Sequence, residues 1–368
     1  MPDVREGYAR LPEDLLRDLL GGAGAVADQV LDMLGPAIEM REGLRSALAS
    51  RGLIRQFNGG EVFTIAGIDG GFAVERTSAV DISLSVAVGV EGLTGGTKHW
   101  DSTQYEWWTR VDNHDFESER LARGVMIAQE LAVLRDAPHD VKILDGSHMT
   151  LVIQLNTALT VQSNELREEA KRVWGRLGTI DALRRVINDE HIIAMPKYDS
   201  SRLICDRLQV EIGSDIPGDD KYLLALLLEP GELLTPQQVP DQPWALLHFR
   251  SEEEEGLAAM LEKAISPLKE RKLKFTYFRP SEFSPAFRIE FKDHVSEQLL
   301  ERILATLSAQ ITGPFIREPY PQYLADVMAK SVGLGLSALQ TAVQLSMSGK
   351  GRPEIAELLI HSYRTEGV

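Results

Sequence analysis

The sequence predicts an α/β protein, a mixed sheet with helices on its faces. Two observations predict it. Near residue 62 the apolar pattern changes from the three- and four-residue spacing of helices to the alternation of strands. Beyond that point the patterns interleave as hairpin, helix, strand, helix, strand and helices, so the sheet starts antiparallel and then takes crossover connections.

Taken in order, residues 10–50 carry helical spacing in LPEDLLRDLL and AVADQVLDMLG, broken by GGAG, and residues 1–58 are expected to form a helical N-terminal region. VFTIAGID (62–69) is a strand, Gly70-Gly71 is read as the turn that follows, and AVDISLSVAVGV (79–90) is the returning strand. The segment from Thr94 to Asp115 holds Trp100, Trp107 and Trp108, and supplies a third strand and a loop. These tryptophans read as core or protein contact, with base stacking as the alternative.

FESERLARGVMIAQELAVLRD (116–136) is a helix, VKILD (141–145) a strand, and residues 163–189 a charged helical stretch. IIAMPKYDSSRLIC (192–205) begins as a strand that ends at Pro196 and Lys197. YLLALLLEPGELL (222–234) reads as strand and turn, WALLHFR (244–250) as a strand, and SEEEEG (251–256) as a solvated helix start. KFTYFRP and AFRIEFK read as paired strands, residues 295–312 as a helix, and residues 320–347 as a last helical section. The expected divisions are 1–58, a main domain over 59–330, and a C-terminal helical segment over 331–368.

An apolar content of 43% with 26% charged residues suits a folded, soluble chain of 368 residues. There is no apolar run long enough to span a bilayer and no signal-peptide layout at the start, so a cytoplasmic protein without membrane contact is expected. The one cysteine, Cys205, lies in an apolar stretch and reads as a packed thiol. A net charge of −16 argues against a general nucleic-acid coat protein, which needs many cations on its surface. A carboxylate metal site is compatible with it, because bound divalent ions reverse the local sign. Basic residues cluster at Arg167, Lys171, Arg172, Arg176, Arg184 and Arg185, and again from Lys263 to Arg279. Each cluster is either a solvated helix face or a track for a polyanion.

Asp69 and Asp145 each close an apolar strand and precede a glycine. Carboxylates at neighbouring strand tips can share a divalent ion, and Mn²⁺ or Mg²⁺ prefers such oxygen ligands. The plainer reading is two turn-forming Asp-Gly pairs. A third carboxylate is expected from the helix between them. Glu119, in its first turn, is the first choice on the premise that the helix begins at the aspartate end of the sheet. Glu117 reads as a cap, and Glu130, about three turns further on, is the second choice if the helix begins later. Asp326 follows Pro319, Tyr320 and Pro321 near the start of the last helical section; it is either a further ligand or an exposed first-turn acid.

With those positions in hand, the chain resembles the NurA nuclease family. The resemblance rests on IDGG (68–71), LDGS (144–147), IIAMPKYDSSRLI, FRIEF (287–291) and PYPQYLAD (319–326), which span roughly residues 60–330 in family order. It implies an RNase H-like fold and a Mn²⁺- or Mg²⁺-dependent DNase acting as single-strand endonuclease and 5′ to 3′ exonuclease. It further implies a homodimer working with a HerA-type hexameric ATPase, in DNA-end processing or anti-phage defence. Under it Asp69 and Asp145 match the family's strand aspartates, and a helical glutamate between them completes the metal set. Tyr320 resembles the family's tyrosine before the last motif, and Asp326 stands where some members have a histidine. Lys197 would face the scissile phosphate or the strand backbone; as a lone lysine it also reads as a surface cation.

Two other classes compete. An actin-like or sugar-kinase-like ATPase would use FTIAGIDGG as a phosphate-gripping turn, but the second strand-turn-hairpin domain is missing, and GLGL (333–336) lies in a helical context. A non-catalytic subunit bound to an ATPase is the third reading, and retention of both aspartates speaks against it.

Overall fold

The computed structural model describes residues 12–102, 104–197, 200–240, 255–270 and 273–360. The strand expected at 244–250 and the acidic start at 251–254 lie outside them.

Along the chain come α1 (Glu13–Gly21), α2 (Ala23–Glu39), α3 (Arg41–Ser50) and the short strand β1 (Ile54–Gln56). Then follow β2 (Ile65–Arg76), β3 (Asp81–Glu91), β4 (Gln104–Asp112), α4 (Ser118–Asp136) and β5 (Val141–Asp145). Three helices, α5 (His148–Leu159), α6 (Asn164–Leu177) and α7 (Thr179–Asn188), lead to β6 (Ile192–Met195), α8 (Leu203–Ile212) and α9 (Asp220–Leu227). β7 (Glu232–Leu234), β8 (Gln237–Gln238), α10 (Glu255–Glu270), β9 (Leu273–Arg279) and β10 (Phe287–Lys292) continue the chain. It closes with α11 (Glu297–Ala309), α12 (Tyr320–Lys330), α13 (Val332–Gly349) and α14 (Pro353–Ile360).

Two compact units result, and their division differs from the sequence expectation. One comprises Met1–Arg55 with Asp199–Leu228; the other comprises Gln56–Tyr198 with Glu229–Val368. The first unit thus recruits a later segment, and α13 and α14 belong to the second unit. In the first unit, Arg41 Nε and Arg45 Nη1 donate to the carbonyls of Leu226 and Leu227 at 3.1 and 2.5 Å. They satisfy the free end of α9. The YLLALLL run is therefore helix, not strand: Asp219 caps it by accepting the Tyr222 N–H at 2.8 Å. Cys205 is buried, and burial with Asp220 nearby pushes its thiol up to about 12, as befits an inert packed group.

The second unit is built on a mixed sheet ordered β7-β9-β10-β6-β5-β2-β3-β4. β2, β3 and β4 are antiparallel, whereas β5 lies parallel to β2 and β6 parallel to β5. This is the expected mixed sheet with helices on its faces. One core gathers α4, α5, α6 and α7 with β2 and β5; another packs α11 under β5, β6 and β10. Residues of α13 and α14 cover β3 with Val332, Leu336 and Leu359.

The hairpin turn is displaced from its expected place. β2 runs through Gly70 and Gly71 and pairs with β3 from Ala66↔Glu91 to Arg76↔Asp81. The turn is made at 77–80, where the Thr77 N–H and hydroxyl both donate to Val80 O at 3.0 and 2.8 Å. Helices, not a bend, require these glycines. A Cβ on Gly70 would stand 2.5 Å from Glu130 Oε1 and 2.6 Å from Met126 Cγ of α4, and one on Gly71 would strike the Ala329 carbonyl of α12.

Of the tryptophans, Trp108 is buried and donates to Glu169 at 2.8 Å, Trp100 meets His139 edge-on at 4.6 Å, and Trp107 is exposed. In the first basic cluster, Lys171, Arg172 and Arg184 each pair with an acid three residues away on their own helix. Those three are neutralised within their own helices. Arg271 and Lys272 of the second lie outside the described residues. Among those described, no helix is long and apolar enough to cross a membrane.

Candidate metal centre

Register brings the two aspartates together. Ile68 of β2 pairs with Leu144 of β5, so Asp69 and Asp145 are the next residues on adjacent parallel strands. Neighbouring strands lie about 4.8 Å apart, and equal register points both side chains to one face. Asp145 in turn pairs with Met195 of β6, and Lys197 lies two residues beyond, on the same face by the period of two. α12 crosses over β2 at Gly67, where a Cβ would stand 2.6 Å from Gln322 N, and this seat lowers Asp326 onto the aspartates.

Ligand oxygens of Asp69, Asp145 and Asp326 lie within 4.8 Å of one another. Lys197 Nζ stands among them, 3.2 Å from Asp145 Oδ2, 3.8 Å from Asp69 Oδ2 and in contact with Asp326 Oδ1. Lys330 pairs with the other Asp326 oxygen at 2.7 Å. The outer oxygens of the strand aspartates are held by backbone. Gly70 N–H donates to Asp69 Oδ1 at 2.8 Å, and Gly146 N–H to Asp145 Oδ1 at 3.1 Å. Each Oδ2 is thereby left facing the centre.

One ammonium among three carboxylates leaves surplus negative charge, and the ionisation of the site reflects it. Burial, then the charge of Asp145, pushes Asp69 up to about 8 despite Lys197. Burial would lower Lys197, but the surrounding aspartates hold it above the ordinary lysine value. For Asp326 the penalty of burial is overcome by its bonds to Lys197 and Lys330, which hold it below the usual carboxylate range.

Glu130 lies within the electrostatic field of Asp69 and Asp145, on the α4 side of β2, whereas Glu119 lies at the other end of the hairpin. Asp81, opposite Arg76 at the far tip of the hairpin, is fully buried and accepts from Asp115 N–H at 3.1 Å and Ser118 Oγ at 3.3 Å. α4 therefore starts at that tip and runs back towards the aspartates. Glu119 stays beside Arg76, at 3.7 Å, seven residues past Asp69 and hence roughly 23 Å along the strand. Glu130, 3% exposed, comes up beside Gly70, and its Oε2 has no hydrogen-bond partner. Burial, followed by the charges of Asp69 and Asp145, raises it well above the carboxylate range. The expectation of Glu119 as the helical ligand is corrected, because the helix begins one hairpin length away from the site.

Tyr320 opens α12, half-buried; among the described residues no hydrogen bond or ion pair ties its side chain to the three carboxylates. Three further residues of the site had no role in the sequence reading. Gln322 donates through Nε2 to Asp145 Oδ1 at 3.0 Å, Lys330 pairs with Asp326, and half-buried Glu318 is raised by burial within the field of Lys197, Asp326 and Asp145. Spacing could have found two of them, since Gln322, Asp326 and Lys330 recur at four-residue intervals on one helix face.

The donor set fits a hard divalent cation. It offers only carboxylate oxygens, drawn from two strands and a helix, with a buried carboxyl atom of Glu130 unpartnered beside them.

Comparison with known proteins agrees with this architecture. A family model described as the NurA domain matches residues 63–330. The fold is similar to that of the NurA nuclease from Sulfolobus solfataricus, at 14% identity and TM-score 0.58, over 90% of this chain and 98% of that one. It is also similar to a crystal structure of NurA with manganese, at 13% identity and TM-score 0.52, over 88% and 98% of the two chains. No curated protein matches. With the domain model covering more than half of its residues, the chain belongs to the NurA domain family.

Proposed function

We propose that this chain is a divalent-metal-dependent deoxyribonuclease that cuts phosphodiesters at the site of Asp69, Asp145 and Asp326. The observation that carries the reading is the convergence of those three carboxylates, with the buried Glu130 carboxyl, one oxygen of which is unpartnered, close by. Membership of the NurA domain family supports DNA as substrate, and the manganese named for a structural neighbour supports Mn²⁺, with Mg²⁺ as the other candidate.

Asp69, Asp145 and Asp326 would hold the cation, with Glu130 completing or steadying the set. A bound divalent ion supplies Lewis-acid polarisation of the phosphodiester and a water activated at neutral pH. The chain's own residues do the rest. Backbone N–H groups of Gly70 and Gly146 fix the aspartates so that one oxygen of each faces inward. Lys197 and Lys330, both paired with Asp326, are the cations placed to offset phosphate charge. The ATPase alternative loses its footing, since Gly70 and Gly71 lie inside a strand and the Gly70 N–H is committed to Asp69.

Single-strand endonuclease and 5′ to 3′ exonuclease activity, in the cytoplasm beside a HerA-type ATPase, complete the proposal. Exposed Leu16, Leu19 and Leu20 of α1 with Val30, Leu31 and Met33 of α2 support a docking face for a second copy or that ATPase. The test is incubation of single-stranded and linear duplex DNA with Mn²⁺, Mg²⁺ or EDTA, alone and with a cognate ATPase. Cleavage should require the metal and fall about a hundredfold or more in Asp69→Ala and Asp145→Ala. Intact DNA in every wild-type reaction would refute it.

A further inference from the structure

Two donors other than the central lysine reach the Asp145 carboxylate. One is local, the N–H of Gly146; the other comes from α12, 177 positions away in sequence, where Gln322 Nε2 donates to Oδ1 at 3.0 Å. Gln322 is 2% exposed, although a glutamine is ordinarily a surface residue. Its amide orientation follows from its neighbours: Asp145 Oδ1 and, at 3.5 Å, the Met195 carbonyl both face it, and only the NH₂ end can meet two acceptors. Asp69 receives only its own glycine at the corresponding oxygen among the described hydrogen bonds.

A carboxylate at a strand tip can rotate about its side-chain torsions, and rotation would take Oδ2 away from the centre. With Oδ1 fastened by two N–H groups, Oδ2 remains directed at the point that Lys197 Nζ now approaches to 3.2 Å. The same glutamine stands one helical turn before Asp326, on the helix face seated against Gly67. The side chain thereby ties Asp145 to α12, and the backbone of the same residue rests against Gly67 of β2.

We propose that Gln322 is a positioning residue of the metal centre, acting through Asp145. The inference rests on the reading of this site as a divalent-cation centre. Outer-shell groups that orient ligands contribute about 10- to 100-fold to metal affinity.

The experiment measures Mn²⁺ binding to the full chain by the electron paramagnetic resonance signal of free Mn²⁺, with melting in EDTA as a parallel readout. Wild type, Asp145→Ala, Gln322→Met and Gln322→Asn are compared; the asparagine keeps the amide but is one methylene too short to reach. Both Gln322 variants should bind Mn²⁺ at least about tenfold more weakly at a temperature where all four chains are folded. The bound-Mn²⁺ spectrum should change as well, because the orientation of one ligand is released. Wild-type affinity and spectrum in both variants, even with lowered melting in EDTA, would overturn the proposal and reduce Gln322 to a packing role. If wild type itself binds no Mn²⁺, the metal reading falls and the positioning role falls with it. If wild type binds and only Asp145→Ala fails to, the metal reading stands alone.

Discussion

Replacing Asp69 by asparagine should stabilise the metal-free protein, increasingly so as pH rises from 5 to 7. In the folded state burial, Asp145 and Asp326 raise this carboxyl from 3.8 to about 8. A carboxyl raised by folding contributes stability that is complete below 3.8 and is lost as pH climbs through 8. At about 1.4 kcal/mol per pH unit, the loss relative to acid is on the order of 2 kcal/mol at pH 5 and about 4 kcal/mol at pH 7. Asparagine keeps the shape and the bond from Gly70 and carries no charge at any pH. The Asp69→Asn advantage should therefore grow by roughly 2 to 3 kcal/mol between pH 5 and pH 7. Buried His148 works in the opposite sense. Burial depresses it from 6.5 to about 4, so stability rises by roughly 2 kcal/mol over the same interval. Because His148 is present in both proteins, its contribution cancels in the difference between them. The assay is urea unfolding in EDTA, followed by tryptophan fluorescence at pH 5, 6 and 7. A difference that is flat with pH, or an asparagine variant less stable at pH 7, would refute the reasoning.

Glu130→Gln should cut the cleavage rate about tenfold or more, whereas Glu119→Ala, at the hairpin tip, should leave it within about twofold in the same Mn²⁺ assay. Gly71→Ala should lower the melting temperature more than Gly70→Ala, because its Cβ meets the Ala329 backbone whereas that of Gly70 meets side chains that can shift; overpacking of this kind costs about 1–3 kcal/mol. Burial brings Lys292 from 10.5 down to about 7, so above pH 7 the folded chain releases a proton that the unfolded chain keeps, and stability rises with pH. Relative to Lys292→Met, wild type should gain about 1 kcal/mol between pH 8 and pH 9, read from urea midpoints.

The strands that build the site were legible in the sequence because their apolar runs are short, β-branched and punctuated by aspartate and glycine. Adjacency of Asp69 and Asp145 followed from two strand ends of the same form. The turn was misplaced because glycine serves two purposes that composition does not distinguish: a backbone that bends and a backbone that something approaches closely. Gly70 and Gly71 serve the second, and the hairpin continues to Arg76. That error carried the start of α4 to the wrong end of the sheet and placed Glu119, rather than Glu130, near the aspartates. The YLLALLL run was misread for a different reason. A short, wholly apolar stretch fits a buried strand and a buried helix alike, and the Asp219 cap decides it. Gln322 was invisible as a functional residue because its bond spans 177 positions to Asp145 and depends on where α12 crosses β2.

The site is under electrostatic strain by construction, and its parts follow from that. Asp69 and Asp145 sit on one face at equal register, α12 adds Asp326, and α4 brings a buried Glu130 carboxyl up to Gly70, within the field of both aspartates. Lys197 neutralises only part of this charge; Asp69 and Glu130 meet the remainder by binding protons more tightly than ordinary carboxyls. A divalent cation would relieve the same surplus without protons, so metal and protons compete for one set of oxygens. The crowding of carboxylates that destabilises the metal-free fold near neutral pH is thus the property that would make the centre receptive to a divalent cation. Rigid backbone donors from Gly70 and Gly146 keep the aspartates from turning outward to escape one another.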